Sequence, residues 1–261
     1  MTAVRIVRPT WTLMKRAVVQ LPRVPTALIL GLVPPLAQFL LFGSLFGNVP
    51  KQYPDFPVAH YFTYIAPALV LFVVIIGMAS AGIAFVGDFQ SGYFHKILLA
   101  PVSPWSIVVG RLLSDGVRIY LQAALLLCVA LLFGVRIRTG LPGALLMLAL
   151  GTLFAVFSVG LIVANVAIRT KDAESVQSML PLFFITVFLT TAYLPKAAMG
   201  NSAIKALVGG NPAQVVLHAM QGLAFSGYHW DQVGGALAVT AAFAAVGVPL
   251  TLLNFRASTQ R

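Results

Sequence analysis

From Tyr61 to Val86 the chain carries no charged side chain, and four further stretches, Thr26–Gly47, Leu141–Ile168, Val176–Leu194 and Val233–Phe255, share that property. A sixth, Leu112–Phe133, is apolar apart from Asp115 and Arg118 in its first turns. A hydrocarbon core of about 30 Å is crossed by roughly 20 helical residues. All six stretches reach that length or come close, the fifth being short. The expected architecture is therefore all-α and polytopic, with six transmembrane helices.

Composition agrees. Of 261 residues, 59% are hydrophobic and only 9% charged, too few charges to cover a soluble domain of this size. The net charge is +11, from 17 Lys and Arg against 6 Asp and Glu. The basic residues lie between the apolar runs and not in one patch, which points to topology control and away from nucleic acid. With the N-terminus in the cytoplasm, the inner segments hold Arg5, Arg8, Lys15, Arg16, Arg23, Lys96, Arg111, Arg118, Arg169, Lys171, Arg256 and Arg261. The outer segments hold only Lys51, Arg136, Arg138, Lys196 and Lys205. That asymmetry predicts both termini in the cytoplasm of a multi-pass inner-membrane protein. The first apolar run is longer than a signal-peptide core and reads as an uncleaved span. Cys128 is the only cysteine. It excludes an intramolecular disulfide and reads as a buried small hydrophobe.

The segments between the spans carry patterns of their own. From Thr10 to Arg23, Trp11, Leu13, Met14, Ala17, Val18 and Leu21 share one helical face, with Lys15, Arg16, Gln20 and Arg23 on the other. Residues 1–25 are thus expected to hold an amphipathic helix in the membrane interface, ahead of a six-span bundle over 26–255. Near the other end, Asn211-Pro212 reads as an N-cap with Pro at the first helical position. Val215, Val216, Ala219, Met220 and Leu223 then share a face opposite Gln214, His218 and Gln221. This predicts a short extracytoplasmic amphipathic helix between spans five and six. Neither a flexible linker nor an internal repeat divides the chain, so residues 1–261 form one domain.

The stretch from Asp88 to Arg118 is the most informative. Phe94, Ile97 and Leu98 make an i, i+3, i+4 stripe, so Tyr93 to Leu99 is expected to form a short helix. Ser91-Gly92 turns the chain before it, and Pro101 and Pro104 stop it. A short helix held between spans two and three is a lever by which a docked motor moves both. The plainer reading is a solvated loop.

Chemistry is sparse elsewhere. There is no G-x-x-x-x-G-K-[ST] phosphate loop and no His-Glu-x-x-His metal pattern. His60, His95, His218 and His229 lie far apart in loops or at helix ends. No catalytic or metal-ligating set is assigned. The six acids, Asp55, Asp88, Asp115, Asp172, Glu174 and Asp231, fall in loops or near span ends, whereas an ion-coupled transporter generally needs a buried ionisable relay. Asp115 lies at i+4 from Arg111 and i−3 from Arg118 and reads as a local ion pair. A membrane-embedded lipid-modifying enzyme and an ion-coupled secondary transporter are the rival readings, with a membrane scaffold as a third.

The run Phe89-Gln90-Ser91-Gly92, then Leu98-Leu99-Ala100-Pro101-Val102-Ser103, then Gly110-Arg111-Leu112, resembles the cytoplasmic segment of ABC-2 type permeases. It is most similar to bacterial drug-export and nodulation-factor-export subunits. Ser178 to Phe184 is similar to that family's fifth span, and Asn211-Pro212 to its outer-loop Asn-Pro. Pro104 stands where the family often has Arg. The resemblance implies that Tyr93, Phe94, His95, Lys96, Ile97, Leu98, Pro101, Val102 and Ser103 belong to a coupling helix seated on a separate ATPase subunit. That partner would bind ATP and Mg, leaving this chain without a cofactor. A second permease subunit, either an identical copy or a paralogue, would enclose the pathway. Export is implied, of a drug, lipid or glycolipid. The same resemblance puts spans one and five near the pathway, which makes Phe39, Phe42, Phe46, Phe183, Phe184 and Phe188 candidates for its lining or for the dimer contact. Gly43 and Gly47 form a G-x-x-x-G that permits close helix contact.

Overall fold

The computed structural model describes residues 25–53, 56–91 and 104–259. The predicted interfacial helix of residues 1–25, apart from Pro25, and the predicted coupling helix of Tyr93–Ser103 lie outside them. Among the described residues every regular element is a helix. Five helices are long and apolar enough to cross a membrane.

In chain order the elements are α1 (Pro25–Leu45), α2 (Val49–Gln52), α3 (Tyr61–Gln90) and α4 (Pro104–Leu132). Next come α5 (Gly140–Ala155) and α6 (Leu161–Thr170), joined into one rod by a π-turn at Val156–Gly160. Two short helices follow, α7 (Ala173–Gln177) and α8 (Leu180–Phe188). Then come α9 (Ser202–Gly210) and α10 (Pro212–Gln221), and α11 (Trp230–Thr259) closes the chain.

The centre of the bundle is α3. Its 30 residues rise about 45 Å, and its side chains are buried along most of that length. It packs on α1, α4, α5, α6, α7, α8 and α10. This explains its composition: a helix apolar on every side is surrounded on every side. By contrast α1, α4 and α11 expose large apolar residues, among them Leu41, Leu45, Leu125, Leu132, Val246 and Leu253. Cys128 sits on this outer surface. The expectation that it is buried was wrong, because its face of α4 has no neighbouring helix.

The fifth apolar stretch departs most from expectation. It was expected to run as one span from Val176 to Leu194. Instead its helices cover Ala173–Phe188, with an interruption at Ser178-Met179. Pro181 lies in the first turn of α8. It has no N–H to continue the preceding helix, and its ring clashes with the carbonyl four residues back. The two helices hold 5 and 9 residues, a helical rise of only about 21 Å in all, less than the hydrocarbon thickness. Pro34, Pro35, Pro67 and Pro249 interrupt nothing: each lies inside a continuous helix.

The predicted helix after Asn211 exists, and Asn211 caps it by accepting from the Ala213 amide at 2.9 Å. Of its expected polar side only His218 is exposed. Gln214 and Gln221 are buried, because α10 packs against α3, α5 and α11. The helix α9 before it was not anticipated. Asn201 caps α9 through the Ala203 and Ile204 amides.

Candidate functional site

Three regions have the makings of a working part. The first is at the Gln90 end of α3. The Arg111 guanidinium on α4 donates to Asp88 of α3 at 2.6 Å and to Asp115 of its own helix at 2.9 Å. Arg118 stands 3.9 Å from Asp115. The expected local pairing of Asp115 is present, and Asp88 extends it between helices. All of these side chains are partly shielded from solvent, which reduces screening of the pairs. The same end is tied elsewhere. The Gln90 amide donates to the Lys171 carbonyl, and Phe89 packs on Phe255. Lys171 adopts a left-handed conformation that ends α6. Asp172 then starts α7 by accepting from both the amide and the hydroxyl of Ser175 at 2.7 Å. Those two bonds, the hydroxyl first, hold its carboxyl below the usual carboxylate range. The helices joined by Arg111 are the two that flank residues 92–103.

The second region is at the Tyr61 end of α3, where α8 stops. Beyond Phe188 the chain leaves the helix with its backbone groups unpaired, and side chains from distant elements take them up. Asn211 donates to the carbonyls of Thr186 and Leu189, both at 2.7 Å. The Thr191 amide donates to Gln214 at 2.6 Å. The Thr191 carbonyl accepts from Tyr64 at 2.6 Å and from Gln221 at 3.2 Å. Its hydroxyl accepts from Gln214 and donates to Gln221. Tyr61 donates to the Tyr193 carbonyl, and Gln38 of α1 donates to the Tyr193 hydroxyl. Irregular backbone is tolerated at membrane depth when protein groups satisfy it in this way. The buried glutamines of α10 are the partners this break requires.

The candidate lining aromatics divide among four surroundings. Phe42 stacks on Phe46, and Tyr193 bridges Phe42 and Phe188 with ring centroids 4.9 and 5.0 Å away. These three therefore form one strip joining α1 to the end of α8. Phe39 is interior, edge-on to Phe62 and Phe133. Phe184 sits edge-on to Phe72. Phe183 faces the third region, a groove of about 800 Å³ between the π-turn, α8, α9 and α11.

The glycine pair also resolves. A Cβ at Gly43 would collide with the Phe62 ring, so Gly43 lets α1 lie against α3 of the same chain. Gly47 lies in the turn after α1.

A second polar seam crosses the bundle. Asn165 of α6 donates to Thr251 of α11 at 2.7 Å, and Asn254 donates back to Asn165 at 2.6 Å. Sequence reasoning missed this pairing, the bonds by which the N-cap Asn211 also reaches Thr186 and Leu189, and the roles of Gln214 and Gln221. The one available signal was amide side chains inside otherwise apolar runs.

The model of the family described as ABC-2 type transporter matches residues 8–225. The chain belongs to that family. Its relatives include the "Daunorubicin resistance ABC transporter permease protein DrrB1" of Streptomyces coeruleorubidus, 26% identical over 96% of this chain and 87% of the relative. The "Probable doxorubicin resistance ABC transporter permease protein DrrC" of Mycobacterium tuberculosis (strain CDC 1551 / Oshkosh) is 25% identical over 75% of this chain and 70% of the relative. A "Putative transport permease ycf38" of Cyanophora paradoxa is 28% identical over 54% of this chain, which spans about half the length of that relative, 47%. This ABC-2 type protein is a multi-pass membrane protein. The matched region takes in the Arg111 bridge, the stretch between its two helices and the Thr191 junction.

Proposed function

We propose that this ABC-2 type chain is the membrane-spanning half of an ATP-driven exporter of hydrophobic or amphipathic cargo. Its energy comes from a separate ATPase subunit, which binds ATP and Mg. The observation that carries the reading is the family match over residues 8–225. Tyr93 to Ser103 acts as the handle on which the ATPase seats, with Phe94 and Ile97 as the packed anchor and His95 and Lys96 as polar contacts. Both termini and the Asp88 end of α3 face the cytoplasm.

The physical argument is one of force transmission. A partner shifts this chain only if it contacts the handle differently in its two nucleotide states. The displacement must then reach the bundle. Arg111 ties the end of α3 to the start of α4, so the helices on either side of the handle move together. Because α3 is surrounded by the rest of the bundle, its motion is felt at α1 and α8. Two permease subunits enclose the pathway, and the strip of Phe42, Phe46 and Phe188 lies along their contact. An apolar aromatic surface suits lipidic or drug-like cargo. The two relatives named for daunorubicin and doxorubicin resistance support such a cargo class.

The test is co-purification and turnover with a candidate ATPase in proteoliposomes. The reading requires ATP-dependent cargo movement that falls sharply in Phe94→Ala and Ile97→Asp. Turnover and transport unaltered in both variants would remove the handle.

A further inference from the structure

We propose that α6 and residues 250–259 of α11 move as one body, hinged on the π-turn at Val156–Gly160 and on Pro249. Both weak points are built into long helical rods. A π-turn inserts a residue into the helical ladder. A proline deletes one bond of it, here the bond that would reach the Ala245 carbonyl. Helices bend at such points. The two stand side by side, because a Cβ at Gly247 would lie 2.7 Å from Leu161, the first residue after the π-turn.

The two helices are held differently on the two sides of these points. On the Tyr61 side both are fixed to α10. Gly151 of α5 lies against Met220, and Gly235 of α11 lies against Val215. In turn α10 is anchored by Gln214 and Gln221 at Thr191, and the Thr139 hydroxyl holds the Leu223 carbonyl just beyond it. On the Gln90 side α6 and α11 are fixed to each other. Asn165 donates to Thr251 at 2.7 Å, Asn254 to Asn165 at 2.6 Å and Arg169 to Asn254 at 3.4 Å. Interhelical polar bonds of this kind join helices inside a membrane bundle. The seam begins just past each weak point, so bending one helix there carries the other.

There is room for the bend. Protein interiors are otherwise close-packed, yet the π-turn borders open space on two faces. One is an apolar cavity of about 20 Å³ shared by Phe157, Leu161 and Val248. The other is the groove of about 800 Å³, which Ser158 and Val159 line. The moving body is tied to the end of α3 by the bond from Gln90 to Lys171 and by Phe89 on Phe255. Its use in transport rests on the handle reading above; the motion itself does not.

Hinge motions run on the microsecond-to-millisecond scale that relaxation dispersion reads. The experiment is methyl relaxation-dispersion NMR on the purified chain in nanodiscs. Ile168 of α6 and Leu252 of α11 should share one exchange rate, while Leu148 of α5 and Val216 of α10 stay flat. Pro249→Ala, which restores the ladder bond, should change that rate several-fold at Ile168 as well as at Leu252. Asn165→Leu with Asn254→Leu should split the common rate in two. Flat profiles at Ile168 and Leu252, unrelated rates in the wild type, or an effect of Pro249→Ala confined to α11 would overturn the proposal. So would a common rate that survives loss of the seam. Thermal unfolding checks that each variant is folded, and if the double variant is not, the Pro249→Ala comparison decides. No ATPase is present, so this proposal and the export reading fail separately.

Discussion

The Tyr64 hydroxyl donates to the Thr191 carbonyl at 2.6 Å across a separation of 127 residues. That bond joins the central helix to the point where α8 gives way to irregular backbone. The other polar groups of Thr191 are engaged by Gln214 and Gln221 from α10. The junction is therefore held by side chains rather than by helical hydrogen bonding.

Two substitutions should separate these roles. Tyr64→Phe leaves the Thr191 carbonyl with Gln221 and should cost about 1 kcal/mol, the scale of a polar pair in a membrane bundle. Gln214→Ala strands the buried Thr191 amide and should cost about 1–3 kcal/mol. Thermal unfolding in detergent should rank Gln214→Ala below Tyr64→Phe. The reverse order would mean that water reaches the junction.

Much of the bundle was legible because hydropathy is a local property. The charge-free run from Tyr61 to Val86 falls inside α3, and the other long runs lie within or close to their helices. The pairing of Asp115 with Arg111 was legible for the same reason, since four residues along a helix fix who is adjacent. The fifth stretch was misread because its composition records what is apolar, not where the backbone bonds. Thr190 and Thr191 look like ordinary span residues until Gln214 arrives from 23 positions away. The direction of Gln214 and Gln221 was misread for a related reason. A helical wheel separates polar from apolar but cannot say that the polar side meets another buried polar group.

Arg111 offers a test of force transmission. Arg111→Ala removes the bridge between α3 and α4, although a partly exposed ion pair itself contributes only about 1 kcal/mol. The complex with the ATPase should still form, while cargo-stimulated ATP turnover falls several-fold. Arg111→Lys should recover part of that loss, because an ammonium lacks the planar fork that serves both carboxylates. Unchanged stimulated turnover in Arg111→Ala would show that the two helices need no such tie.

The close approach at Gly43 predicts a specific rescue. Gly43→Val should destabilise the protein by about 1–3 kcal/mol through overpacking against Phe62. Phe62→Ala combined with Gly43→Val should recover much of that loss, measured as a double-mutant cycle in thermal unfolding. Strictly additive losses would place the contact of Gly43 elsewhere.

Asp172 predicts a local pH response. Its carboxyl titrates below the ordinary carboxylate range in the folded chain, so the cap is in place above that range. The cap is lost as pH falls through the depressed value. Hydrogen exchange at the Ser175 amide should therefore lose protection on acidification. Asp172→Asn, which accepts without titrating, should flatten that response. An identical response in both proteins would assign it to another group.

The most direct test is cargo uptake by inside-out vesicles in which the ATPase is co-reconstituted with the wild-type chain or with Ile97→Asp. The account predicts ATP-dependent uptake for the wild type, none without the ATPase, and near-complete loss in Ile97→Asp with the bundle still folded. Uptake that proceeds equally well without the ATPase would contradict it.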